Sequence, residues 1–467
     1  MTDSAARRAA LVAVTMISFA TPFMISGVNV ALPMISSEFG AGAILLSSLS
    51  TSYTLASAVF LLLFGKLADI YGRKRVFLIG TCLYTVASLL CAVVNSTGML
   101  ITTRVIQGFG AAMIFATSAA ILTSIYPPNE RGKALGVNVA AVYLGMSVGP
   151  FIGGLMVEAL GWRSVFLANV PLGLVTVALA ATRMRGEWVG SPGDSFDLAG
   201  SAVYGLAVVA LMIGFSQLPA ARGAWLILVG IAAGTAFLAR QRRIAHPVLD
   251  LRMFRGNRVF TLSSLAALAN YAATASVAFL LSLYLQYIKA LTPREAGMVL
   301  IAQPLVQAVF SPLAGRLSDR IEARVVASAG MAFTAAGLTM LTFLGEGSSL
   351  IYVVACLLVL GFGFGLFSSP NTSAIMGSVE RRFYGVASSL VGTMRVFGQM
   401  LSMGTAMILF ALYIGQAQIT SEYYGRFLLS ARTAFGIAAG LCGAGILASL
   451  ARGKARTAEG VEVARAH

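Results

Sequence analysis

Two arginines lie deep in the interior of apolar stretches of the sequence, where a charge is expensive. Arg104 stands in Met99–Tyr126, three residues before Gln107, and Arg395 stands in Ala387–Ile414. A charged side chain in a membrane-spanning helix costs at least roughly 2.5–3.5 kcal/mol, so we expect both arginines to face the protein interior and to have a function there. Two alternatives stay open: Arg104 as a structural residue that binds backbone carbonyls, and Arg395 as a side chain that extends to the membrane interface.

Neutral polar residues inside the apolar stretches could line a solute cavity. They are Asn29, Asn270, Tyr271, Gln303, Gln307 and Gln399. With the two arginines, and with no Asp or Glu in the interior of any stretch, they predict a cavity that is apolar, amide-lined and mildly positive. It should accept neutral, zwitterionic or anionic amphiphiles more readily than dications, because an unpaired charge in a low dielectric is expensive. Any single amide could instead bond a neighbouring helix.

Other chemistry lacks the residues that it needs. The four cysteines fall inside apolar stretches at no metal-like spacing, and neither of the two histidines lies in such a stretch. No Gly-x4-Gly-Lys-Ser/Thr loop for a nucleotide is present. We therefore expect no metal, no cofactor and no enzymatic activity, and we exclude ATP as the energy source.

The elements that hold these residues are apolar helices long enough to cross a bilayer. Hydrophobic residues make up 58% and charged residues 11% of the 467 residues, with a mean hydropathy of +0.85. A spanning helix needs roughly 20 apolar residues, so the sequence predicts an all-α polytopic membrane protein with fourteen spans. They lie near Leu11–Met34, Leu45–Gly65, Val76–Val94, Met99–Tyr126, Ala134–Ala159, Ser164–Ala181, Leu198–Ser216, Ala224–Ala239, Val259–Tyr287, Gly297–Gly315, Val325–Leu344, Leu350–Met376, Ala387–Ile414 and Phe427–Leu450.

The basic residues predict the orientation of these spans. The formal net charge is +16, and most of the 33 lysines and arginines fall on the same side as Met1. Such a bias is typical of cytoplasmic loops. We therefore expect a multi-pass protein of the cytoplasmic (inner) membrane, in contact with lipid, with both termini in the cytoplasm and no nucleic-acid partner.

An internal repeat divides the chain. Gly65–Asp69 recurs as Gly315–Asp319 at an offset of 250 residues, and Gly108–Gly110 recurs as Gly361–Gly363 at an offset of 253. Parallel repeats of this kind are a transporter architecture, with the solute site between the halves. The predicted units are an N-terminal six-helix half at 1–184, a linker with two extra spans at 185–258, a C-terminal six-helix half at 259–451 and a cytoplasmic tail at 452–467.

The most specific motif is the run from Gly65 to Arg75, Gly-Lys-Leu-Ala-Asp-Ile-Tyr-Gly-Arg-Lys-Arg. It resembles the loop motif between the second and third helices of the major facilitator superfamily, and the whole chain resembles the fourteen-helix drug:proton antiporter branch. The resemblance implies the major facilitator fold and a gating role for Gly65, Asp69, Gly72, Arg73 and, in the second copy, Asp319. The carboxylate of Asp69 is suited to accept bonds from amides at a helix start, or to pair with an arginine across the seam between the halves.

Two further motifs carry what the resemblance implies about activity. The antiporter motif, which implies export, is matched by Gly145, Gly149, Pro150, Gly153 and Gly154. Arg104 matches an arginine that takes part in proton coupling in the family, and Arg104, Gln107 and Arg395 are the candidates for coupling or substrate binding. The repeat counterpart of Arg104 is the apolar Leu357, so the fold itself does not require an arginine there. Drug:proton antiporters of this branch usually carry an aspartate in the first span. The matching residue here is Met24, which leaves no obvious proton carrier.

The combined expectation is a monomeric secondary transporter that exports amphipathic small molecules by alternating access, with protons as the coupling ion. One alternative is a uniporter or importer of the same fold with a neutral or anionic substrate. The missing acid favours this alternative and the glycines of the fifth span oppose it. Alternatives of another class are a membrane-embedded lipid enzyme and a sensor that has lost transport.

Overall fold

The computed structural model describes residues 2–39, 43–184, 186–218, 220–415 and 421–453. Its α-helices are α1 (Thr2–Phe39), α2 (Ala43–Tyr71), α3 (Arg73–Val93), α4 (Thr97–Ile125), α5 (Pro128–Leu160), α6 (Arg163–Leu167), α7 (Asn169–Arg183), α8 (Leu198–Ser216), α9 (Ala221–Gln241), α10 (Arg258–Thr274), α11 (Val277–Leu283), α12 (Pro293–Leu300), α13 (Ala302–Ser318), α14 (Ala323–Leu341), α15 (Leu350–Gly377), α16 (Tyr384–Tyr413) and α17 (Tyr424–Ala451). A π-helical turn, Tyr284–Ile288, follows α11. The predicted tail at 452–467 lies outside the described residues except for Arg452 and Gly453.

Fourteen apolar helical spans of membrane length lie within the described residues, which confirms the predicted number. Two of the spans are interrupted ahead of a proline. α6 ends at Leu167 and α12 ends at Leu300, four residues before Pro171 and Pro304. Because proline has no N–H to donate to the carbonyl four residues earlier, the helix is weakened at these positions. The prolines therefore account for both breaks.

The gating motif is not a loop, as the sequence led us to expect, but the junction of two helices. α2 continues to Tyr71 and α3 begins at Arg73, so Gly65 and Asp69 lie in the last turns of α2. Gly72 alone separates the helices, and its φ of 111° is one that residues with a side chain rarely adopt. The loop prediction was wrong because a single glycine such as Gly65 weakens a helix without ending it.

The sequence repeat recurs as matched helix crossings. α4 meets α3 where Gly110 faces Gly80, and a Cβ on Gly110 would lie 2.8 Å from the Gly80 carbonyl oxygen. α15 meets α14 in the same way, where a Cβ on Gly363 would lie 2.7 Å from the Gly330 carbonyl oxygen. The crossing of α3 with α4 therefore has a matching crossing of α14 with α15, with glycines at the corresponding positions.

Helices α8 and α9 form a hairpin between the two halves. Asp197 caps the start of α8 and pairs with Arg240 near the end of α9 at 2.8 Å. α8 contacts the first half at Val59 of α2 and the second half at Gly404 of α16. The two extra helices thus lie against both halves.

Helix α5 packs closely on α1 through the predicted antiporter motif. A side chain at Gly145, Gly149 or Gly153 would collide with atoms of α1. Gly154 has room for a Cβ, and α5 remains helical across Pro150. The expected close approach of helices occurs at three of the motif positions, while their role in export stays a prediction.

Candidate substrate cavity and gate

Asp69, near the end of α2, binds the start of a helix in the opposite half. Its Oδ1 accepts a hydrogen bond from the Gly385 N–H at 2.8 Å, and its Oδ2 accepts one from the Val386 N–H at 3.0 Å. The side chain is buried, and Arg73 donates to the same carboxylate at 2.7 Å. Amides at a helix start lack intrahelical partners and carry partial positive charge, which favours a carboxylate there. We name this contact the first latch.

Asp319, directly after α13, makes the same contact in the reverse direction. Its Oδ1 accepts from the Gly132 N–H at 2.8 Å and its Oδ2 accepts from the Lys133 N–H at 3.0 Å, both in the second turn of α5. Burial raises the pKa of Asp319 above its ordinary value, although the two amides act in the opposite direction. This second latch ties the second half to the first.

Glycines allow the helix ends to meet at both latches. Gly65 of α2 lies against Gly385 of α16, and Gly132 of α5 lies against Gly315 of α13. A Cβ at any of the four would come within 3.0 Å of a backbone atom of the opposite half. Both contacts lie on the face of the bundle where α1 begins and α2 ends, which we name the N-side. The structure is closed on the N-side.

Two arginines of the first half reinforce this closure at one aromatic ring. The guanidinium carbons of Arg73 and Arg131 lie 5.1 Å and 5.9 Å from the ring centroid of Tyr384 in the second half. Arg73 also donates to the Arg381 carbonyl across the seam. The sequence offered two partners for Asp69: amides at a helix start, or an arginine across the seam. The amides do lie across the seam. The arginine that pairs with Asp69 is Arg73, which belongs to the same half as Asp69.

The segment 187–194, between α7 and α8, runs along the first latch. The Gly190 and Ser191 N–H groups donate to the Asp69 carbonyl at 2.8 Å and 2.7 Å. In turn, the Arg73 N–H donates to the Trp188 carbonyl at 3.1 Å. This backbone contact was not predicted from the sequence, since main-chain hydrogen bonds of an irregular segment leave no pattern of residue types.

An ion pair at the end of this segment fixes it to α2. Asp194 binds the buried Lys66 ammonium at 2.5 Å and His246 Nδ1 at 2.8 Å. Burial alone would raise the pKa of Asp194, but its hydrogen bonds and its proximity to Lys66 and His246 lower it below the ordinary value. Lys66 belongs to the gating motif, so the linker is tied to the same helix end as the first latch.

A cavity of about 90 Å³ lies between the halves. Helices α1, α4 and α5 supply one wall, and α10, α15 and α16 supply the other. Its polar side chains include Ser18, Asn138 and Tyr143 from the first half, and Tyr271 and Arg395 from the second. Small-molecule sites combine an apolar lining with a few polar groups of this kind.

Arg395 is the only charged side chain on the cavity wall among the described residues. It is the twelfth residue of α16, so it stands roughly 16 Å along the helix from its N-side end. Its guanidinium carbon lies 5.0 Å from the ring centroid of Phe115, on the opposite wall. The structure therefore places Arg395 in the interior rather than at a membrane interface.

Two tyrosines of the cavity wall, one from each half, meet at a single aromatic ring. Tyr143 from the first half and Tyr271 from the second each meet the edge of the Phe364 ring with centroids 5.5 Å apart. Of the six neutral residues predicted to line a cavity, Tyr271 lies on this wall.

The other five predicted residues do not line this cavity. Asn270 and Gln307 are buried, Gln303 is half-buried, and Asn29 and Gln399 are exposed. Asn138 and the hydroxyl residues of the wall were missed, although Asn138 is also an amide inside a predicted span. Amide content identifies polar positions within a helix, but it does not tell which face of the helix points between the halves.

Arg104 lies within the first half, away from the cavity wall. It is 1% exposed, and its Nη1 donates to Gln107 Oε1 at 2.7 Å. Gln107 in turn donates to Ser88 Oγ at 2.8 Å. The guanidinium carbon stands 4.5 Å from the ring centroid of Tyr53, and Nε has no hydrogen-bond partner among the described residues. Among the described residues, Arg104 therefore contacts the side chain of Gln107 and the ring of Tyr53.

The chain matches the family model described as Major Facilitator Superfamily over residues 14–239 and 263–466. The chain belongs to this superfamily. Both the predicted resemblance and the predicted fold are confirmed, and the protein is a multi-pass membrane transporter.

Curated relatives in the superfamily carry several different names. The riboflavin transporter RibZ of Clostridioides difficile (strain 630) is 31% identical over 90% of this chain and 91% of its own. The cephamycin export protein CmcT of Amycolatopsis lactamdurans is 31% identical over 90% of this chain and 88% of its own. The multidrug resistance protein Stp of Mycobacterium tuberculosis (strain CDC 1551 / Oshkosh) is 34% identical over 79% of this chain and 70% of its own.

A solved structure shares the fold. The human organic anion transporter MFSD10 (TETRAN) superposes with a TM-score of 0.63 at 13% identity, over 96% of this chain and 98% of the other. At this identity the likeness shows the fold alone.

Proposed function

We propose that this protein exports amphipathic small molecules by alternating access, with the N-side in the cytoplasm and protons as the coupling ion. The two latches carry the proposal, because each joins a helix end of one half to the first two turns of a helix of the other on the same face. Breaking both would let the N-side open while the halves keep their internal packing. A cavity between halves that are joined in this way is suited to face one side of a membrane at a time.

Export and proton coupling have separate support. The names of relatives such as the cephamycin export protein CmcT and the multidrug resistance protein Stp favour export. The basic loops favour a cytoplasmic N-side. Coupling to protons is supported by the resemblance of Arg104 and of the α5 glycines to antiporter motifs.

Uptake into everted membrane vesicles tests the proposal. Vesicles that hold the protein are acidified inside and offered riboflavin, ethidium and dansylglycine, which are neutral, cationic and anionic probes. We expect uptake of at least one probe, and we expect it to stop when a protonophore collapses the gradient. Failure of all three probes to enter would contradict the proposal. A C-terminal tag cleaved by external protease only in everted vesicles would confirm the orientation.

A uniporter of the same fold is the second candidate. It is favoured by the cavity wall, where the described residues include no Asp or Glu to carry a proton. Uptake that continues unchanged without a proton gradient would select the uniporter.

A further inference from the structure

A cation, Arg395, lies on the cavity wall without a carboxylate partner among the described residues. Arg395 lines the wall, and no acidic side chain lines it within the part of the chain that the structure describes. By contrast, Asp69, Asp194 and Asp319 all bind cations or amides near the N-side. An arginine in a low-dielectric cavity favours an anion there, because the pairing offsets the cost of removing the charge from water.

The contacts of Arg395 leave its hydrogen-bonding edge available. Its guanidinium carbon lies near the face of Phe115, and a guanidinium that contacts a ring in this way retains N–H groups that point sideways. Those groups match the two oxygens of a carboxylate, phosphate or sulfonate in a forked pair of hydrogen bonds.

The opposite wall offers acceptors for a second part of the same molecule. Asn138 Oδ1 and Ser18 Oγ are buried atoms with no hydrogen-bond partner in the described structure, and both residues line the cavity. Buried polar groups are normally paired, so these two atoms are acceptors that a donor group of a bound molecule would satisfy. The rings of Tyr143 and Tyr271 supply an apolar and aromatic surface beside it.

We propose that Arg395 binds the anionic group of the substrate, and that this transporter therefore moves amphipathic organic anions. The inference rests on the proposed transport function and specifies its substrate class. The anion binds α16, while Asn138 of α5 and Ser18 of α1 bind the donor group, so the substrate bridges the two halves. Permanent cations are excluded because they would meet Arg395 with no acid to offset the repulsion.

A matched pair of probes tests the substrate class. Dansylglycine and dansylglycinamide share the same aromatic body, but only the first carries a carboxylate at pH 7. We expect uptake of dansylglycine into vesicles and little uptake of the amide or of ethidium. In Arg395→Gln, the KM for dansylglycine should rise roughly tenfold or more, as expected for loss of a charge-assisted pair. Arg395→Lys should recover part of that loss, because it restores the charge without the fork.

The controls separate this inference from the proposed function. Arg222→Gln removes an exposed positive charge on the α8–α9 hairpin and should leave the KM for dansylglycine unchanged. Uptake of ethidium or of the amide without uptake of dansylglycine would overturn the anion site and leave transport standing. An equal rise in the KM for dansylglycine and for dansylglycinamide in Arg395→Gln would also overturn the anion site. Absence of uptake for these three probes would overturn the anion site, and absence of riboflavin uptake as well would overturn the proposed function.

Discussion

Asp69 and Asp319 occupy equivalent positions of the two halves and bind each other's half by the same geometry. In each, Oδ1 accepts from a glycine N–H at 2.8 Å and Oδ2 accepts from the next N–H at 3.0 Å. The equivalence means that the N-side is held by two contacts of the same chemistry, so removal of one should weaken the closure without abolishing it.

Removing one latch carboxylate should open the N-side more often. An amide in Asp69→Asn offers only one acceptor to the two N–H groups and loses the ion pair with Arg73. We expect the ratio of closed to open molecules to fall roughly tenfold, since hydrogen bonds to charged groups contribute about 1.5–3 kcal/mol. Turnover should fall while the KM stays near that of the wild type. Asp319→Asn should lower turnover in the same way, and the double variant should lower it further.

Maleimide labelling of a cysteine at Ser389 measures this opening. Ser389 is buried against Gly65 at the first latch, so Ser389→Cys in a background without native cysteines should label faster when Asp69→Asn is added. Cys356, which is buried within the second half, serves as the control when it alone is retained. Faster labelling of Cys356 as well would indicate general loosening instead.

Adding a methyl group at a latch glycine should prevent full closure. A Cβ at Gly132 would overlap the Gly315 carbonyl of the opposite half, so Gly132→Ala should lower the transport rate severalfold and speed labelling at Ser389→Cys. Gly98 in α4 has no atom near its missing Cβ, and Gly98→Ala is the matched control. It should transport normally. Equal loss of transport in both variants would argue against a steric role for the seam.

Arg104→Ala should abolish transport while the protein still folds. The change removes the cation above the Tyr53 ring and leaves Gln107 Oε1 without its donor. Tyr53→Phe is the control, because it keeps the ring and deletes only a hydroxyl that has no hydrogen-bond partner among the described residues. Uptake assays and size-exclusion profiles measure the two properties. Normal uptake by Arg104→Ala would rule out its functional assignment.

The ion pair between Lys66 and Asp194 should contribute about 1 kcal/mol of stability, as a partly buried pair. A double-mutant cycle of Lys66→Met and Asp194→Asn, followed by Tm in detergent, measures this coupling. Because the folded state lowers the pKa of Asp194, the contribution is complete above the ordinary pKa of about 4 and is lost as pH falls through the lowered value. A coupling that is the same at pH 7 and below pH 3 would contradict the assignment.

The sequence predicted the number of spans and singled out Asp69 and Asp319, which the structure places at contacts between the halves. It could do so because hydropathy and an eleven-residue motif are properties of the chain itself. It did not predict that Asp69 lies on a helix, because the predicted span ended at Gly65 whereas α2 continues to Tyr71. It placed Tyr271 and Arg395 on spans but could not rank them above Gln303 or Gln399. Which face of a helix lies between the halves depends on how the halves pack. An almost uniformly apolar span has no polar face from which that packing could be predicted.

The acceptor in each latch is a side chain, but the donors are main-chain amides. Variation at Val386 or Lys133 therefore leaves the donor in place whatever side chain appears there, and only proline removes it. The glycines beside them are constrained by space alone. Mutational sensitivity of the gate is thus concentrated in two carboxylates and four glycines, so a deep mutational scan should show the latch as a few isolated intolerant positions surrounded by permissive ones.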